Sequence, residues 1–349
     1  MRVNPNPLTR WRQRLAAALG PATLALTLVA GAQGVAARAP DCPGPALRIE
    51  AVAPGVWWIP GAPGDADARN RGAISNLLAL RDGRRLWLLG SGPSPGWGRA
   101  LGCHLRRASG LAVTDVIAPW SRPELVLGQT GLRAPRHWAH ADVIAAMRTR
   151  CAHCIERLRL RLGDAAADLD GVQAAIPNRA LQGDGGRLGP WRWWRLARSP
   201  DTAITVWALP RAGLVAAHGL LWSDGVPDLR DATLAEFSQA LTALARLEAA
   251  MSPTTTPRRW LPEQGPWLAA GAPAREREYV EALRRAARTA IDGAALETDP
   301  PPPLNVRWPE ADSDLGRDLR HGLNWQRSWR EAEASAFDQG QPPAGAASR

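Results

Sequence analysis

The order of strand-like and helix-like segments along the chain is what most constrains its fold. Within residues 50–90, apolar runs flank Asp82-Gly83, a dipeptide that predicts a β-hairpin. Helical and extended segments alternate after that. Residues 142–162 give the clearest helix, because apolar residues recur at steps of three and four and Gly163 stands at the expected end. Interleaved strands and helices predict a mixed α/β (α+β) domain.

Further elements follow from the same patterns. We expect helices over 96–108, from the capping box Thr233-x-x-Glu236 onward and over 275–291, strands over 113–118 and ending at 260–262, and a hairpin between 202–209 and 214–217. No internal repeat with a fixed period is found in the sequence. A chain of 349 residues is long enough for one domain of about 250–300 residues or for two smaller ones.

The charge pattern argues against a nucleic-acid-binding protein. The formal net charge is +10, and all 43 cationic side chains are arginines. Four of them lie in the first 14 residues, and the rest are dispersed without a block of like charges. Nucleic-acid recognition requires a clustered basic face with aromatic residues for stacking, and the sequence shows no such cluster. The dispersed arginines predict a solvated surface.

The first 37 residues are typical of a secretory signal peptide. Residues 10–14 are arginine-rich, residues 15–30 are apolar apart from Gly20-Pro21, and Val35-Ala36-Ala37 offers a cleavage site. An uncleaved membrane anchor is the alternative, since the apolar run approaches the length of a membrane span. We predict a periplasmic or secreted protein with no stable membrane span after cleavage. The predicted organisation is a signal peptide over 1–37, a domain over 38–299, a C-terminal extension over 300–335 that packs on it, and a disordered tail over 336–349.

Export would permit disulfide bonds among the four cysteines. Cys42, Cys103, Cys151 and Cys154 allow three connectivities, and the sequence does not choose among them. Cys151 and Cys154 fall on the buried face of the 142–162 helix, either as thiols or as one strained disulfide. If that pair stays together, a bond between Cys42 and Cys103 would tether the N-terminus of the mature chain.

A zinc site built from the histidines and cysteines around that helix is not expected. His137, His140 and His153 accompany the Cys151-x-x-Cys154 pair, and these residue types are zinc ligands. On a helix that rises 1.5 Å per residue, however, Cys151 would lie about 16 Å from His140, too far for shared ligation. A redox role is disfavoured as well, because redox cysteines usually stand at a helix start and this pair is in mid-helix.

Several short segments, spread over residues 48–335, form an ordered set. They are Gly55-Val-Trp-Trp-Ile59, Gly72-Ala-Ile-Ser-Asn76, the segment 116–129, Cys151-Ala-His-Cys154, Pro262-Glu-Gln-Gly-Pro266 and Leu323-Asn-Trp-Gln-Arg327. Their order and spacing resemble the metallo-β-lactamase superfamily, and more narrowly its exported branch of quinoprotein relay system zinc metallohydrolases. The resemblance implies a four-layer αβ/βα sandwich with the site at one edge, between two sheets.

The same resemblance places the zinc motif of that family, His-x-His-x-Asp-His, on residues 120–125. Its first two histidines fall on Trp120 and Arg122, its aspartate falls on Glu124, and its last histidine falls on Leu125. Of these four ligand positions, only the one at Glu124 keeps a side chain that can bind zinc.

Ligand positions elsewhere in the chain depart in the same way. The strand-end aspartate of the family falls on Gly90, a further histidine falls within 197–199, the bridging aspartate falls on His218, and a late histidine falls on Gln264. Residues 197–199 contain no histidine. Glu124 and His218 remain as weak metal candidates. Two donors are too few for a catalytic zinc site, which needs three and an open position for water.

The resemblance and these departures together predict a zinc-free pseudo-hydrolase. The guanidinium of Arg122 would repel Zn²⁺, and without metal no bound water becomes a nucleophile near neutral pH. No cofactor is then expected, and the resemblance implies a binding or accessory role beside a partner in a periplasmic quinoprotein-type redox system. One alternative is an active hydrolase of the same fold, with zinc held by atypical ligands. Another is a scaffold that uses tryptophan-rich surfaces for protein contact.

Two uses of the altered site remain open. In the first, Trp120 and Arg122 fill it structurally, Trp120 as bulk and Arg122 as the partner of Glu124. In the second, Arg122, His218 and Gln264 line a pocket for a small anionic ligand, because arginine binds carboxylates through two parallel hydrogen bonds. His218 is also a candidate general base beside Glu124. No other residue is singled out for catalysis.

Overall fold

Seven strands of the described residues form one sheet, in chain order. They are β1 (Glu50–Ala53), β2 (Val56–Ile59), β3 (Leu77–Asp82), β4 (Arg85–Leu89), β5 (Asp115–Ile117), β6 (Arg136–His140) and β7 (Arg179–Leu181). Strands β1 to β4 pair antiparallel, and β4 to β7 pair parallel through longer connections. The structure, a computed structural model, describes residues 42–251, 259–299, 301–302, 304, 306 and 319–340. The predicted signal peptide lies outside these residues.

Five further strands form a second sheet in the order β12-β11-β10-β9-β8. They are β8 (Gly185–Leu188), β9 (Trp191–Ser199), β10 (Thr202–Leu209), β11 (Leu214–Ala216) and β12 (Arg259–Leu261). The long central strand β10 pairs antiparallel with β9 and β11, whereas β11 and β12 are parallel. All eight residues of β10 are buried, as expected for a strand covered on both faces.

The helices lie against these two sheets. They are α1 (Pro95–Ser109), α2 (Pro123–Val126), α3 (Gln129–Leu132), α4 (Ala141–Leu162), α5 (Leu234–Ala250), α6 (Ala272–Asp292) and α7 (Leu319–Gly340), with short 3₁₀ helices at Gly163–Leu169 and Pro210–Ala212. Helix α4 contacts β6 and β7 of the first sheet and also reaches β10. Helix α5 contacts β9 of the second sheet, and α6 packs on α5.

The two sheets face each other across an apolar layer formed by alternate strand residues. In β3, Leu78 and Leu80 belong to this layer, whereas Leu77 and Ala79 belong to the larger core that includes the helices. Much of the layer consists of four buried tryptophans, namely Trp87, Trp191, Trp193 and Trp207. The arrangement is the predicted four-layer αβ/βα sandwich. Every tryptophan in the described ranges is buried or half-buried.

The local sequence predictions are confirmed for the hairpins and the long helices. Asp82 ends β3 at the turn into β4, β10 pairs with β11, and α4 ends at Gly163 as expected. Strands β6 to β9 have no counterpart in the predictions. The capping box was wrong in detail, because the Thr233 hydroxyl donates to the carboxylate of Glu236 instead of accepting from a backbone N–H.

Helix α7 is bound to the domain by buried contacts. Trp325 and Trp329 belong to the main core. The side-chain amide of Asn324 donates to the carbonyl of Pro227 at 2.8 Å, and the carboxylate of Glu331 accepts from the first backbone N–H of α5 at 2.9 Å. The helix continues to Gly340, so it extends past residue 336, where the sequence predicts the start of a tail.

Cys42 and Cys103 form a disulfide bond, with an S–S distance of 2.07 Å. This bond ties the start of the described chain to α1. Cys151 and Cys154 are free thiols on α4, and burial, with a smaller contribution from Cys154, raises the pKa of Cys151 to about 12. In the part of the chain that the structure describes, no helix combines the length and the apolar content that crossing a membrane requires.

Candidate functional site

Loops from both sheets meet at one edge of the sandwich. The turn after β5 carries Trp120, Arg122 and Glu124, the turn after β11 carries His218, and the segment after β12 carries Glu263 and Gln264. Backbone hydrogen bonds hold the loops together. The N–H of Asn76, just before β3, donates to the carbonyl of Glu263 at 2.8 Å, and the N–H of Glu263 donates to the carbonyl of Leu221 at 2.7 Å.

The carboxylate of Glu263 stands at the centre of this edge and is fully buried. It accepts hydrogen bonds from the Ser75 hydroxyl at 2.6 Å, the Trp120 indole N–H at 3.2 Å and the backbone N–H of Gly219 at 3.1 Å. Its Oε1 also lies 4.0 Å from Nε of Arg122. A buried carboxylate is stable only with such partners, so Glu263 fixes the positions of all three loops.

Arg122 precedes α2 and has only 9% of its surface exposed. Its Nε donates to Glu124 at 3.2 Å, its Nη1 lies 3.7 Å from the Asp228 carboxylate, and its guanidinium lies 5.6 Å from the centre of the Trp120 ring. Burial alone would lower the pKa of Arg122, but the surrounding carboxylates, chiefly Glu124 and Glu263, raise the pKa above its ordinary value. The side chain is a permanent cation inside the site.

A second buried arginine, Arg198, lies behind Trp120. Only 1% of Arg198 is exposed, and its guanidinium donates to the carbonyls of Gly219 and Asp228. The guanidinium carbon lies 4.9 Å from the centre of the Trp120 ring and 5.3 Å from that of Phe237, distances at which a cation is attracted to an aromatic face. Burial lowers the pKa of Arg198 to about 10, which still leaves it charged at neutral pH.

The acidic and basic groups of the cluster balance one another. Burial alone would raise the pKa of Asp228, but the hydrogen bond from Arg230 at 2.6 Å and the charge of Arg122 hold that pKa well below its usual range. The buried or part-buried members are three arginines (Arg122, Arg198, Arg230) and three carboxylates (Glu124, Asp228, Glu263). We call these six residues and Trp120 the arginine–carboxylate cluster. A neutral cluster needs no added cation for charge balance.

His218 is fully buried and does not belong to that cluster. Its Nε2 lies 2.7 Å from the carbonyl of Asn76, and its Nδ1 has no hydrogen-bond partner among the residues that the structure describes. Burial lowers the pKa of His218, with weaker opposing effects from Glu263 and Asn76. The ring is therefore neutral, and Nε2 carries the proton that it donates to Asn76.

Gln264 points to a different network from that of Arg122. Its Nε2 donates to the carbonyl of Gly64 at 3.4 Å, and its Oε1 accepts from Arg320 of α7 at 3.2 Å. Of the five residues that the sequence assigns to the site, Trp120, Arg122 and Glu124 line one groove, and His218 and Gln264 are not part of its lining. The polar atoms of His218 and Gln264 bond instead to Asn76 and to Gly64 and Arg320.

A small groove of about 160 Å³ opens beside the arginine–carboxylate cluster. Trp120, Arg122 and Glu124 form part of its wall, while His218 and Gln264 are absent from its lining in the described residues. Helix α4 supplies most of the opposite wall, including Arg150, Cys154, Arg157 and Arg161. The groove is smaller than the roughly 300–1,000 Å³ of typical small-molecule pockets.

The donor set at this edge does not fit a zinc ion. Among the described residues, no three or more side chains of His, Cys, Asp or Glu are grouped so that they could hold a metal. The two weak candidates already have other partners, because Glu124 accepts from Arg122 and Nε2 of His218 is hydrogen-bonded to the Asn76 carbonyl. The three arginines of the arginine–carboxylate cluster oppose a further cation.

Two of the histidines near α4, His137 and His140, also have structural partners. The His137 ring lies 3.2 Å from Gln129 and 2.9 Å from the carbonyl of Ala134. His140 caps α4 by accepting from the backbone N–H of Asp142 at 3.2 Å. These contacts use the ring nitrogens that a metal would need.

Sequence reasoning missed Glu263, Arg198 and Ser75 as members of the site. Glu263 directly precedes Gln264, on which the late histidine of the family falls. Arg198 lies within residues 197–199, where a further histidine of the family falls. A usable signal was present in both cases, since each charged residue sits within or next to an apolar strand and charged side chains are rarely buried without a partner. The partners of Glu263 and Arg198 could not be predicted, because they come from distant parts of the chain.

Comparison with known proteins gives structural matches only. No protein-family model and no curated protein matches the sequence. The solved metallo-β-lactamase FIM-1 from Pseudomonas aeruginosa, in its mono-zinc form, is 17% identical with a TM-score of 0.52, covering 69% of this chain and 96% of its own. The metallo-β-lactamase from Erythrobacter litoralis is 16% identical with a TM-score of 0.51, covering 67% and 96%. That from Pontibacter korlensis is 12% identical with a TM-score of 0.51, covering 68% and 99%. At these identities the likeness concerns the fold alone.

Proposed function

We propose that this chain, which has the metallo-β-lactamase fold, is a zinc-free relative of those hydrolases that acts by binding and not by hydrolysis. The observation that carries the proposal is the position of Arg122. Its guanidinium lies within 4.0 Å of Glu124, Asp228 and Glu263, in the place of a cation among carboxylates.

The chemistry of the site supports this conclusion. A hydrolytic zinc site needs three protein donors and an open position for water, and the metal lowers the pKa of that water to about 7. Here the carboxylates are already neutralised by arginines that cannot lose their protons at physiological pH. His218, the neutral base at this edge, is fully buried and does not line the groove beside Arg122, so its unpartnered Nδ1 does not open onto that groove.

The contacts favour structural filling for Trp120. The indole is 4% exposed, donates to Glu263 and lies between the two guanidinium groups of Arg122 and Arg198. The arginine–carboxylate cluster thereby joins the turns after β5, β11 and β12, which is the mechanical role that a shared metal ion plays in other proteins.

We further propose that the protein is exported and serves an accessory role beside a partner in a periplasmic quinoprotein-type redox system. Support comes from the signal-peptide pattern of residues 1–37 and from the sequence resemblance to that branch. Cell fractionation and the N-terminal mass of the purified protein test the export proposal. A mature chain that begins near residue 38 in the periplasmic fraction is expected, and a full-length cytoplasmic chain would contradict it.

The zinc-free proposal is tested by metal analysis and hydrolysis assays on protein purified without chelators. We expect far less than one zinc per chain and no turnover of lactam or ester substrates above the rate of a heat-denatured control. Stoichiometric zinc with hydrolysis that both Glu124→Ala and His218→Ala abolish would instead establish the alternative, an active hydrolase with atypical ligands.

A further inference from the structure

Arg122 has donor atoms that the arginine–carboxylate cluster does not use. Its Nε donates to Glu124, and neither Nη1 nor Nη2 donates a hydrogen bond to a described residue. Nη1 lies 3.7 Å from Asp228, an ion pair without hydrogen-bond geometry. The side chain is more than nine-tenths buried, and what remains accessible faces the small groove that Arg122 lines. A buried guanidinium whose two Nη groups have no hydrogen-bond acceptor can still bind a carboxylate or phosphate through two parallel hydrogen bonds, in competition with the ion pair to Asp228.

The wall of that groove on α4 carries further positive charge. Arg150, Arg157 and Arg161 are separated by seven and four residues, so they lie on one face of the helix. Arg150 donates to the Thr202 hydroxyl at 2.7 Å. Arg157 and Arg161 are exposed, and neither has an acidic partner among the described residues. Nη2 of Arg157 donates only to the sulfur of Cys154, at 3.6 Å, so two cationic side chains without a carboxylate partner stand at the rim.

Acidic residues also line the groove and must be counted against these cations. Glu124 and Asp228 are already paired with Arg122 and Arg230, at 3.2 Å and 2.6 Å. Asp231 is exposed at the rim and would repel an anion. The lining comprises five guanidinium groups and three carboxylates, so the groove keeps a net positive charge.

We propose that this groove binds a small oxyanion, a carboxylate or phosphate group, with the Nη pair of Arg122 at its floor and Arg157 and Arg161 at its rim. The inference rests on the proposed function, because a zinc ion at Glu124 would displace Arg122 from its present position. A volume of about 160 Å³ admits a small anion or the terminal group of a larger molecule. The exposed rim arginines attract the anion from solution, and the low dielectric at the floor strengthens its contact with Arg122.

The first experiment compares two double variants of the full mature protein by isothermal titration with inorganic phosphate and, separately, with acetate. Arg157→Gln/Arg161→Gln removes the rim cations. Arg148→Gln/Arg159→Gln is the matched control, since both residues lie on α4 but line a different groove. We expect the rim variant to raise the Kd about fivefold or more at low salt and the control to change it less than about twofold, with the difference shrinking near 0.5 M NaCl.

The second experiment tests the floor. Arg122→Lys keeps the charge beside Glu124 but loses the paired Nη donors, so we expect the Kd to rise about tenfold or more. If that variant fails to fold, the arginine side-chain N–H signals of the wild-type protein replace it. A specific shift of one slowly exchanging guanidinium signal on phosphate addition is then the expected result.

Binding of phosphate alone would identify a phosphate group as the ligand chemistry, and binding of acetate alone a carboxylate. Absence of binding by the wild-type protein to either anion would overturn the proposal, as would equal weakening by the rim variant and its control. These titrations use chelator-treated protein. A failure of the zinc-free proposal would appear in the metal analysis, and a failure of the anion site would appear in the titrations.

Discussion

The ion pair between Arg122 and Glu124 offers the sharpest test of the idea that the arginines of the cluster neutralise its carboxylates. Both side chains are buried, and Nε and Oε2 lie 3.2 Å apart. We consider Arg122→Met, Glu124→Gln and the double variant, which together form a double-mutant cycle. Each single change leaves the partner buried and without its counter-charge.

The structure gives the magnitude. At an effective dielectric constant of about 20, two unit charges 3.2 Å apart attract by about 5 kcal/mol before desolvation is counted. Removing one member of a buried pair typically costs about 3–5 kcal/mol, because the remaining charge stays buried. The double variant removes both charges, so its destabilisation should be smaller than the sum of the single effects by about 2–4 kcal/mol.

Urea unfolding followed by tryptophan fluorescence measures all four proteins. The matched control is the exposed pair of Arg277 and Glu281 on α6, 3.6 Å apart, whose cycle should give a coupling below about 0.5 kcal/mol. The reasoning is refuted if Arg122 and Glu124 couple as weakly as this control pair does. Such weak coupling would mean that groups other than Arg122 stabilise the buried Glu124 carboxylate.

Three further predictions follow from individual contacts. Reduction of the Cys42–Cys103 disulfide, which closes 61 residues, should lower the free energy of unfolding by about 4 kcal/mol in the chain-entropy picture, measured by urea unfolding with and without reductant. Ser75→Ala removes a 2.6 Å hydrogen bond to the buried Glu263 and should cost about 1–3 kcal/mol in the same assay, and an unchanged stability would contradict the role of this hydrogen bond. Because burial lowers the pKa of His218, the unfolded chain takes up a proton below pH about 6.5 before the folded protein does, so stability should fall there by up to about 1.4 kcal/mol per pH unit. His218→Gln should remove that part of the slope in pH-dependent unfolding.

The elements that could be predicted from sequence are those whose pattern is local. The β3–β4 hairpin and α4 follow from a turn dipeptide and from helical periodicity, and both are confirmed. Strand β6 was not predicted, because two of its five residues are histidines and one is an arginine. Arg136 is tolerated there since it pairs with the buried Asp115 of β5 at 2.6 Å. That ion pair joins two strands of the folded sheet, so the local sequence around Arg136 does not predict it.

The same distinction holds at the site. Trp120, Arg122 and Glu124 lie within one short turn, and the sequence comparison found all three. Glu263 approaches Trp120 across 143 positions of the chain, and Arg198 reaches the carbonyl of Gly219 from another strand. Their burial depends on the two sheets facing each other. The sequence also does not say which groups His218 and Gln264 meet, since position in the chain does not fix the direction of a side chain; in the fold their polar atoms bond to Asn76 and to Gly64 and Arg320.

A final prediction concerns zinc binding at positions 120 and 122, and it depends on Arg122 and Arg198. Trp120→His/Arg122→His would create, together with Glu124, three donors in the spacing of the zinc motif. We still expect weak binding, because a divalent ion at the position of the Trp120 ring would lie 4.9 Å from the guanidinium of Arg198. At an effective dielectric constant of about 20 the repulsion is about 6–7 kcal/mol before relaxation.

Adding Arg198→Met to that double variant should therefore strengthen zinc binding by a factor on the order of 10²–10⁴, measured by competition with a chromogenic chelator. Circular dichroism of both variants checks that they fold. Tight zinc binding by Trp120→His/Arg122→His with Arg198 intact would show that the buried cation does not control the site. The expected result would show that the buried cation of Arg198 and a zinc ion held at positions 120 and 122 exclude each other. Once a fixed cation occupies the space behind Trp120, histidines in front of it have no metal to hold.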